Sequence, residues 1–395
     1  MKILIVTPTY YPDVNGAAYF AQRLAQYLRK REHGVLVIAP SRSMRHETYE
    51  SDGVSVFGIR SFPVFINNFR IAQSFFVKEL LCEKIKDFSP DVIHLQSHFL
   101  FNKTAMNIAK ELKIPLIGTN HFMPENLIHY LPLPKKAKKY IRKLAWNQFL
   151  DIFKKLDIVT TPTQTGSKML KEIGFSKEVH SLSNGIDLNI FNPKNDGQYL
   201  RQKYHLPENP LILYLGRLDR EKNINLLIEA FAQALKKIDA HFVIAGIGAE
   251  EKNLKKTAER LNIANSVTFT GFVSNEDKPN LYTLADCFVI AGIAELQSIA
   301  TMEAMASGLP IIAVNAMALP HLVKHGKNGF LFKLEDVPSV AKYIIQILSN
   351  RALRDKMSQK SLEMIKEHDI NASIFEFESL YQSLIDKYEK SFIKV

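Results

Sequence analysis

The segment KILIVTPTYYPDVNGAAYFAQRLAQYLRKREHGVLVIAP, residues 2–40, carries the pattern that predicts the fold. Apolar runs at 2–7 and 35–39 are typical of buried strands, and apolar residues recur at helical spacing over about 17–31. A loop rich in Pro, Asn and Gly, residues 8–16, joins the first strand to the helix. Strand, helix and strand in this order form the repeating unit of a parallel sheet covered by helices.

The same alternation continues along the chain. Further strands are predicted at 54–59, 92–95, 116–119 and 158–161, with helices at 75–88 and 102–112. After a polar stretch at 187–210 it restarts with strands at 211–215, 242–245, 267–270, 287–290, 310–313 and 329–332, and helices at 223–237 and 299–306. We therefore predict an α/β protein with two doubly wound domains, residues 1–185 and 186–371, and a further helix at about 372–395. Ligands bind at the carboxyl ends of strands in such folds, so a cleft between the domains is the expected site.

Composition excludes several classes of protein. Hydrophobic residues make up 46% of the 395 and charged residues 23%, which is typical of globular proteins and not of disordered or collagen-like chains. No apolar run approaches the roughly 18 residues of a membrane span, and the apolar stretch at 3–6 is too short for a signal peptide. The two cysteines, Cys82 and Cys287, form no CxxC pair, which favours a reduced, cytosolic protein.

The net charge of +11 is unevenly distributed. Residues 1–190 carry 26 Lys and Arg against 16 Asp and Glu, whereas the remainder carries 25 against 24. The first half is therefore expected to meet an anionic partner, which charge alone leaves open among a membrane surface, nucleic acid and a phosphorylated substrate.

Two segments of the second domain suit a nucleoside diphosphate. GRLDREKN at 216–223 places Arg217 and Lys222 just after a predicted strand, where a guanidinium fork and a mobile ammonium fit a diphosphate. A solvated charge cluster is the alternative. AELQSIATMEAMASGLP at 294–310 contains Glu295 in a loop and Glu303 eight residues later in an apolar helix. A helix that begins near Ser298 directs its free amides at an anion, and the Glu303 carboxylate suits a vicinal diol such as ribose if it is not simply on the wet face.

Two residues of the first domain are also candidates. Gly16 stands at the start of a helix, where backbone amides approach an anion, although a simple turn glycine is equally compatible. The loop lacks GxGxxG, which argues against a dinucleotide oxidoreductase. His121 follows the strand at 116–119, whereas His98 and several other histidines are expected to be structural or surface groups.

Together these segments resemble the retaining glycosyltransferases of family 4, which have the GT-B fold. The resemblance covers nearly the whole chain and includes SNGID at 183–187 and EAMASGLP at 303–310. On this resemblance, residues 1–185 bind the acceptor, residues 186–371 bind the nucleotide-sugar donor, and the helix at about 372–395 returns to the first domain. It implies that Arg217 and Lys222 hold the donor diphosphate, that Glu303 binds the ribose, and that Glu295 contacts the transferred sugar. It further implies roles for the following groups: the amides of Gln297, Ser298 and Ile299 beside the donor, Val273 near the base, Gly16 at the diphosphate and His121 at the donor sugar.

The chain departs from the commonest family pattern in two places. Asn15 stands where many members have the first glycine of a pair, and ELQS at 295–298 stands where many have EGFG. The second form, together with HFMPEN at 121–126, is most similar to the subset that glucosylates diacylglycerol.

A basic segment, residues 134–155, predicts a membrane contact. Its cations are Lys135, Lys136, Lys138, Lys139, Arg142 and Lys143, and the chain's single tryptophan, Trp146, follows them. A basic helix with apolar residues suits an anionic bilayer, with an apolar loop at 62–69 as a further candidate. A solvated helix face is the alternative, and nucleic acid is disfavoured because the aromatics do not alternate with the cations.

The sequence thus predicts a hexosyltransferase that is independent of metal or any cofactor, with a UDP-sugar such as UDP-glucose as donor substrate, and the resemblance alone implies that transfer is retaining. The predicted acceptor is a lipid such as diacylglycerol, and the predicted location is the cytoplasm, peripheral on the inner face of the plasma membrane. The alternatives are a soluble saccharide or sugar-phosphate acceptor, and a non-catalytic module that binds a nucleotide sugar or a membrane. The sequence leaves the oligomeric state open.

Overall fold

A computed structural model describes residues 1–13, 15–63, 70–72, 77–124, 128 and 133–393. The chain divides into two compact units: unit 1 is residues 1–184 with 371–395, and unit 2 is residues 185–370. The observed division lies one residue from the predicted one. The apolar loop predicted at 62–69 falls largely outside the described residues, which include only Phe62 and Pro63 of it.

Unit 1 is built on a mainly parallel sheet. In the sequence, helices alternate with many of its strands. Its strands are β1 (Lys2–Val6), β2 (Gly34–Pro40), β3 (Glu47–Ser51), β4 (Val54–Ile59), β7 (Val92–Leu95), β8 (Leu116–Thr119), β9 (Ile158–Thr161) and β10 (His180–Ser181), and a separate hairpin pairs β5 (Ser61–Pro63) with β6 (Arg70–Ala72). Its helices are α1 (Gly16–Lys30), α2 (Val77–Phe88), α3 (Leu100–Glu111), α4 (Lys135–Phe153), α5 (Gln164–Glu172) and the C-terminal α14 (Ile370–Ile393).

The strand order in unit 1 is β10-β9-β8-β7-β1-β2-β4-β3, and β3 alone in this sheet is antiparallel to its neighbour. Residues 3–6 of β1 are fully buried, as expected for a strand covered on both faces. The α1 helix begins where the Asn15 side chain accepts a hydrogen bond of 2.9 Å from the Ala18 amide, which satisfies one of the helix's free donors.

The C-terminal helix α14 belongs to unit 1. The Tyr381 hydroxyl lies 2.7 Å from Nδ1 of His94, which is buried in β7. Phe377 packs against Phe20 of α1 with ring centroids 5.6 Å apart, and Glu378 pairs with His33 at 2.7 Å. The last helix therefore completes the core of the first unit.

Unit 2 contains a second parallel sheet, ordered β13-β12-β11-β14-β15-β16. Its strands are β11 (Leu211–Leu215), β12 (His241–Ala245), β13 (Val267–Gly271), β14 (Cys287–Ile290), β15 (Ile311–Val314) and β16 (Gly329–Phe332). Its helices are α6 (Gln198–Lys203), α7 (Ile224–Ala234), α8 (Glu251–Arg260), α9 (Lys278–Thr283), α10 (Ile299–Ala306), α11 (Leu319–Leu322), α12 (Val337–Ser349) and α13 (Arg351–Ile365). The order changes direction between β11 and β14, so their carboxyl ends border the crevice where ligands bind in such sheets.

Candidate functional site

Arg217 follows β11 and is paired with two carboxylates. Its guanidinium contacts Asp219 and, at 2.9 Å, Glu221, and both acids are almost fully buried. The Tyr214 hydroxyl donates a hydrogen bond of 2.8 Å to the Arg217 carbonyl. These contacts hold the backbone carbonyl and the guanidinium of Arg217, so its side chain is oriented without a ligand.

Lys222 is paired with Glu295 across the switch point of the sheet. The two groups lie 2.6 Å apart, and each side chain is only 14% exposed. Hydrogen bonds also join their loops: the Asn223 amide donates to the Ala291 carbonyl at 3.0 Å. The structure therefore brings Lys222 and Glu295, both predicted site residues, into direct contact.

The helix that follows Glu295 begins where the sequence predicts. Ser298 caps α10, and its hydroxyl accepts a hydrogen bond of 3.3 Å from the Thr301 amide. Gln297, Ser298 and Ile299 are buried beside this N-terminus, whose dipole favours an anion.

Glu303 is buried within α10 and is not on a wet face. Its Oε2 accepts a hydrogen bond of 3.0 Å from the Tyr282 hydroxyl of α9. Sequence reasoning missed Tyr282, because it precedes Glu303 by 21 residues and no local pattern marks it as the partner of that carboxylate. It also missed Asp219 and Glu221, although their alternation with cations inside GRLDREKN is a usable signal.

The remaining predicted donor contacts, Val273 and Gly16, belong to different units. Val273 follows β13 in unit 2 and is buried. Gly16, in unit 1, is the first residue of α1 and is exposed, and its neighbour Asn15 serves as the cap.

His121 follows β8 in unit 1 and is held by Gln96, which directly follows β7. Its Nε2 lies 3.0 Å from Oε1 of Gln96, and because that oxygen only accepts, Nε2 donates the proton. Burial lowers the pKa of His121 to about 3, so the imidazole is neutral at physiological pH. The ring also packs against Phe20, with centroids 4.6 Å apart. A neutral, oriented imidazole serves as a hydrogen-bond partner and not as a cation.

The basic helix α4 has one wet face and one packed face. Its exposed side carries Lys135, Lys136, Lys139, Arg142 and Lys143, whereas Lys138 is half-buried. Tyr140, 64% exposed, and Leu144, 44% exposed, lie one turn apart among these cations.

Trp146 corrects the predicted set of membrane contacts. Its side chain is only 9% exposed and packs edge-on against Phe122 and Phe149, with centroids 5.9 and 5.6 Å away. The aromatic residue on the exposed face is Tyr140, since Trp146 turns toward the core of unit 1.

The described part of the chain contains neither a cluster of metal-ligating side chains nor a helix suited to cross a membrane. No group of three or more His, Cys, Asp or Glu side chains there has an arrangement that suits a metal ion. Within the same residues, no helix combines the length and the apolar character that crossing a bilayer demands.

Two family models match the chain. Residues 14–190 match the model described as glycosyltransferase family 4, and residues 198–364 match that of the glycosyl transferases group 1. Among curated relatives, an alpha-monoglucosyldiacylglycerol synthase of Streptococcus pneumoniae is 31% identical, covering 84% of this chain and 75% of the relative. The enzyme of the same name from Acholeplasma laidlawii is 27% identical over the full length of both. A GDP-mannose-dependent alpha-mannosyltransferase of Mycobacterium tuberculosis is 24% identical, covering 91% of this chain and 92% of the relative.

Solved structures share the fold. Sucrose-phosphate synthase of Thermosynechococcus elongatus aligns with a TM-score of 0.82 at 19% identity, covering 98% of this chain and 100% of that one. Anabaena HepE in complex with UDP-glucose aligns with a TM-score of 0.77 at 20% identity, covering 97% and 100%. The prediction of a GT-B fold is confirmed.

Proposed function

The chain belongs to glycosyltransferase family 4, and on that premise we propose that it transfers a hexose, with glucose preferred, from a UDP-sugar to a lipid acceptor such as diacylglycerol at a membrane surface. Two relatives that carry the name alpha-monoglucosyldiacylglycerol synthase support glucose and this lipid. The mannosyltransferase relative makes GDP-mannose the second donor to test.

The charges of unit 2 support a diphosphate leaving group. Arg217 and Lys222 supply the positive charge, and the N-terminus of α10 supplies aligned amides. As the bond from the sugar to the phosphate breaks, negative charge grows on the phosphate oxygen, and fixed cations and dipoles stabilise it without reorganising. Because these groups provide that charge, the proposal includes no metal ion and no cofactor.

Transfer proceeds with retention in this proposal. The acceptor oxygen forms its bond on the face of the sugar that the phosphate leaves, and the acceptor proton passes to the departing phosphate oxygen. Glu295 then touches the sugar, Glu303 holds the ribose hydroxyls, and the neutral imidazole of His121, whose Nε2–H donates to Gln96, accepts a hydrogen bond from a sugar hydroxyl through Nδ1. No nucleophilic carboxylate is needed for this route.

The exposed face of α4 is the observation that carries the membrane part of the proposal. Residues 135–150 contain six cations and no Asp or Glu, and Tyr140 and Leu144 stand among those cations with much of their surface in water. Amphipathic helices of this kind bind anionic bilayers, to which each nearby Lys or Arg contributes about 1 kcal/mol. The cytoplasmic leaflet carries such lipids, so the proposal places the enzyme peripherally on the inner face of the plasma membrane.

Co-sedimentation with phosphatidylglycerol vesicles tests this proposal. Replacing Lys135, Lys136, Lys139 and Lys143 by Gln is expected to weaken binding about a hundredfold or more, because four cations are lost. The matched control replaces the same four by Arg, which keeps the charge and is expected to keep both binding and transfer to dioleoylglycerol. Equal binding by both variants contradicts the proposed contact, and transfer only to a soluble saccharide contradicts the lipid acceptor.

A further inference from the structure

Polar atoms that lack a hydrogen-bond partner gather at the carboxyl ends of β7 and β8. Among the residues that the structure describes, six such atoms belong to four side chains: Nε2 of Gln96, both ring nitrogens of His98, both amide atoms of Asn102 and Nδ2 of Asn120. Each of these side chains is at most 3% exposed. Buried polar groups are normally satisfied, so this concentration points to a ligand.

Known contacts join the four residues into one group. Gln96 holds His121 at 3.0 Å, and Oδ1 of Asn120 accepts a hydrogen bond of 2.9 Å from the Phe122 amide. The His98 ring meets Phe122 edge-on, with centroids 4.7 Å apart. Asn102 lies in the first turn of α3, where its backbone N–H donates to the Phe99 carbonyl at 2.8 Å, and the Phe99 ring meets the His98 ring with centroids 4.3 Å apart. Gln96, His98 and Asn120 therefore contact the segment that carries His121, and Phe99 connects Asn102 to them.

The polar atoms select the chemistry of the ligand. Two carboxamides supply donors through nitrogen alone, Asn102 supplies both a donor and an acceptor, and a neutral imidazole supplies one of each. Burial lowers the pKa of His98 to about 4, which keeps it uncharged near neutral pH. None of the four carries a charge that would compensate a buried phosphate or carboxylate, whereas hydroxyls both donate and accept.

We propose that Gln96, His98, Asn102 and Asn120 form a hydroxyl-binding site of unit 1, which receives the polar end of the acceptor beside His121. This inference rests on the proposed function and names residues that select its acceptor. It gives His98, expected from the sequence to be structural, a role in binding.

Substitutions of similar shape test the site. Asn102→Leu and His98→Phe remove the unpartnered atoms but keep the volume, so they are expected to leave the melting temperature unchanged or higher. Both are expected to raise the KM for the acceptor about tenfold or more and to leave the KM for UDP-glucose unchanged. The matched control is Met106→Leu, one turn further along α3 and fully buried, which changes packing without removing a hydrogen-bonding group. Acceptor KM is measured with dioleoylglycerol in mixed micelles and, separately, with octyl glucoside. The acceptor that the wild-type enzyme uses then reports on the site.

A binding measurement separates this inference from the proposed function. The ring nitrogens of His98, assigned with His98→Phe, are observed by ¹⁵N NMR while dioctanoylglycerol or octyl glucoside is added without any nucleotide sugar. A shift of the His98 signals supports the site even if the wild-type enzyme transfers no sugar to a lipid, and it decides the question alone if Asn102→Leu does not fold. Unmoved His98 signals, or an unchanged acceptor KM in folded Asn102→Leu, overturn the inference and leave these atoms to buried water.

Discussion

Nζ of Lys222 lies 2.6 Å from Oε1 of Glu295, although the two residues are 73 positions apart in the sequence. Gly292 makes this approach possible, because a Cβ there would lie 2.8 Å from the same carboxylate oxygen. The cation expected to meet the donor diphosphate is therefore already oriented by the acid expected to meet the sugar. In the proposed reaction the pair acts as one unit that couples sugar binding to the charge on the leaving group.

The Lys222–Glu295 pair predicts non-additive kinetics. Lys222→Met is expected to lower kcat/KM for the donor by about a hundredfold, as for the loss of one group that stabilises the charge of a transition state. Glu295→Gln is expected to have a large effect too, and the double variant to be little worse than the poorer single one, since residues in contact are energetically coupled. Steady-state kinetics of the four proteins measure this coupling.

An exposed pair serves as the control for this cycle. Lys255 and Glu251, 2.7 Å apart on α8, have the same chemistry, and Lys255→Met with Glu251→Gln is expected to leave the kinetics unchanged. Strictly additive effects of Lys222 and Glu295 on kcat/KM contradict the coupled unit.

Tyr282 is predicted to position Glu303. Tyr282→Phe removes the hydroxyl that donates to the buried carboxylate at 3.0 Å and is expected to raise the donor KM severalfold with little change in kcat. Glu303→Ala is expected to have the larger effect, because it deletes the ribose contact itself. UDP release is followed at varied UDP-glucose concentrations to give KM and kcat. A change in kcat alone argues against a positioning role.

Unit 1 is predicted to lose stability as the pH falls below about 6.5. Burial lowers the pKa of His94 and His121 to about 3 and that of His98 to about 4. Between these values and the ordinary pKa of about 6.5, the three histidines are protonated in the unfolded chain but not in the folded one. Each histidine then lowers the free energy of unfolding by about 1.4 kcal/mol per pH unit, until the folded pKa is reached. Urea denaturation at pH 7, 6 and 5, followed by the fluorescence of Trp146, reports on unit 1.

The control for the pH dependence is His98→Phe. This variant is expected to reduce the slope of unfolding free energy against pH by about 1.4 kcal/mol per unit, because one proton is no longer taken up. A slope identical to that of the wild type shows that His98 does not titrate in this way.

Gly246 is predicted to be essential for the Arg217 loop. Its φ is +135°, and a Cβ would lie 1.9 Å from the Gly216 carbonyl oxygen. Gly246→Ala is expected to destabilise unit 2 by about 2 kcal/mol or more and to reduce donor turnover over tenfold, since Gly216 precedes Arg217. Gly326→Ala, also at positive φ but with no atom within 4 Å of the new Cβ, is expected to cost about 1 kcal/mol and to keep turnover. Equal effects of the two substitutions contradict a role for the close approach.

The fold was largely predictable because the pattern of both sheets is local. Buried runs such as 3–6 and 242–245 identify their strands directly, and the structure adds strands that lack this signal. In β3 (Glu47–Ser51) exposed side chains alternate with less exposed ones. Because this edge strand is polar, it contains no apolar run by which it could be predicted. Most helix bounds moved by one or two residues, which is the usual uncertainty at helix ends, and the helix predicted at 223–237 ends three residues earlier, at Ala234.

Spacing and resemblance name candidate site residues but do not give their contacts. Arg217, Lys222, Glu295 and Glu303 remain predicted site residues, whereas the partner that the structure gives each of them depends on which strand ends are neighbours. Trp146 shows the same limit, since helical spacing alone does not say which face of α4 meets the core. Burial and long-range contacts decide both questions, and neither is written in a local pattern.

The most direct test offers UDP-glucose, UDP-galactose and GDP-mannose with dioleoylglycerol in phosphatidylglycerol vesicles and analyses the products by mass spectrometry. The account predicts a diacylglycerol that has gained one hexose, formed fastest from UDP-glucose and formed about a hundredfold more slowly by Lys222→Met. Transfer only to soluble saccharides, or nucleotide-sugar binding without any product, contradicts it.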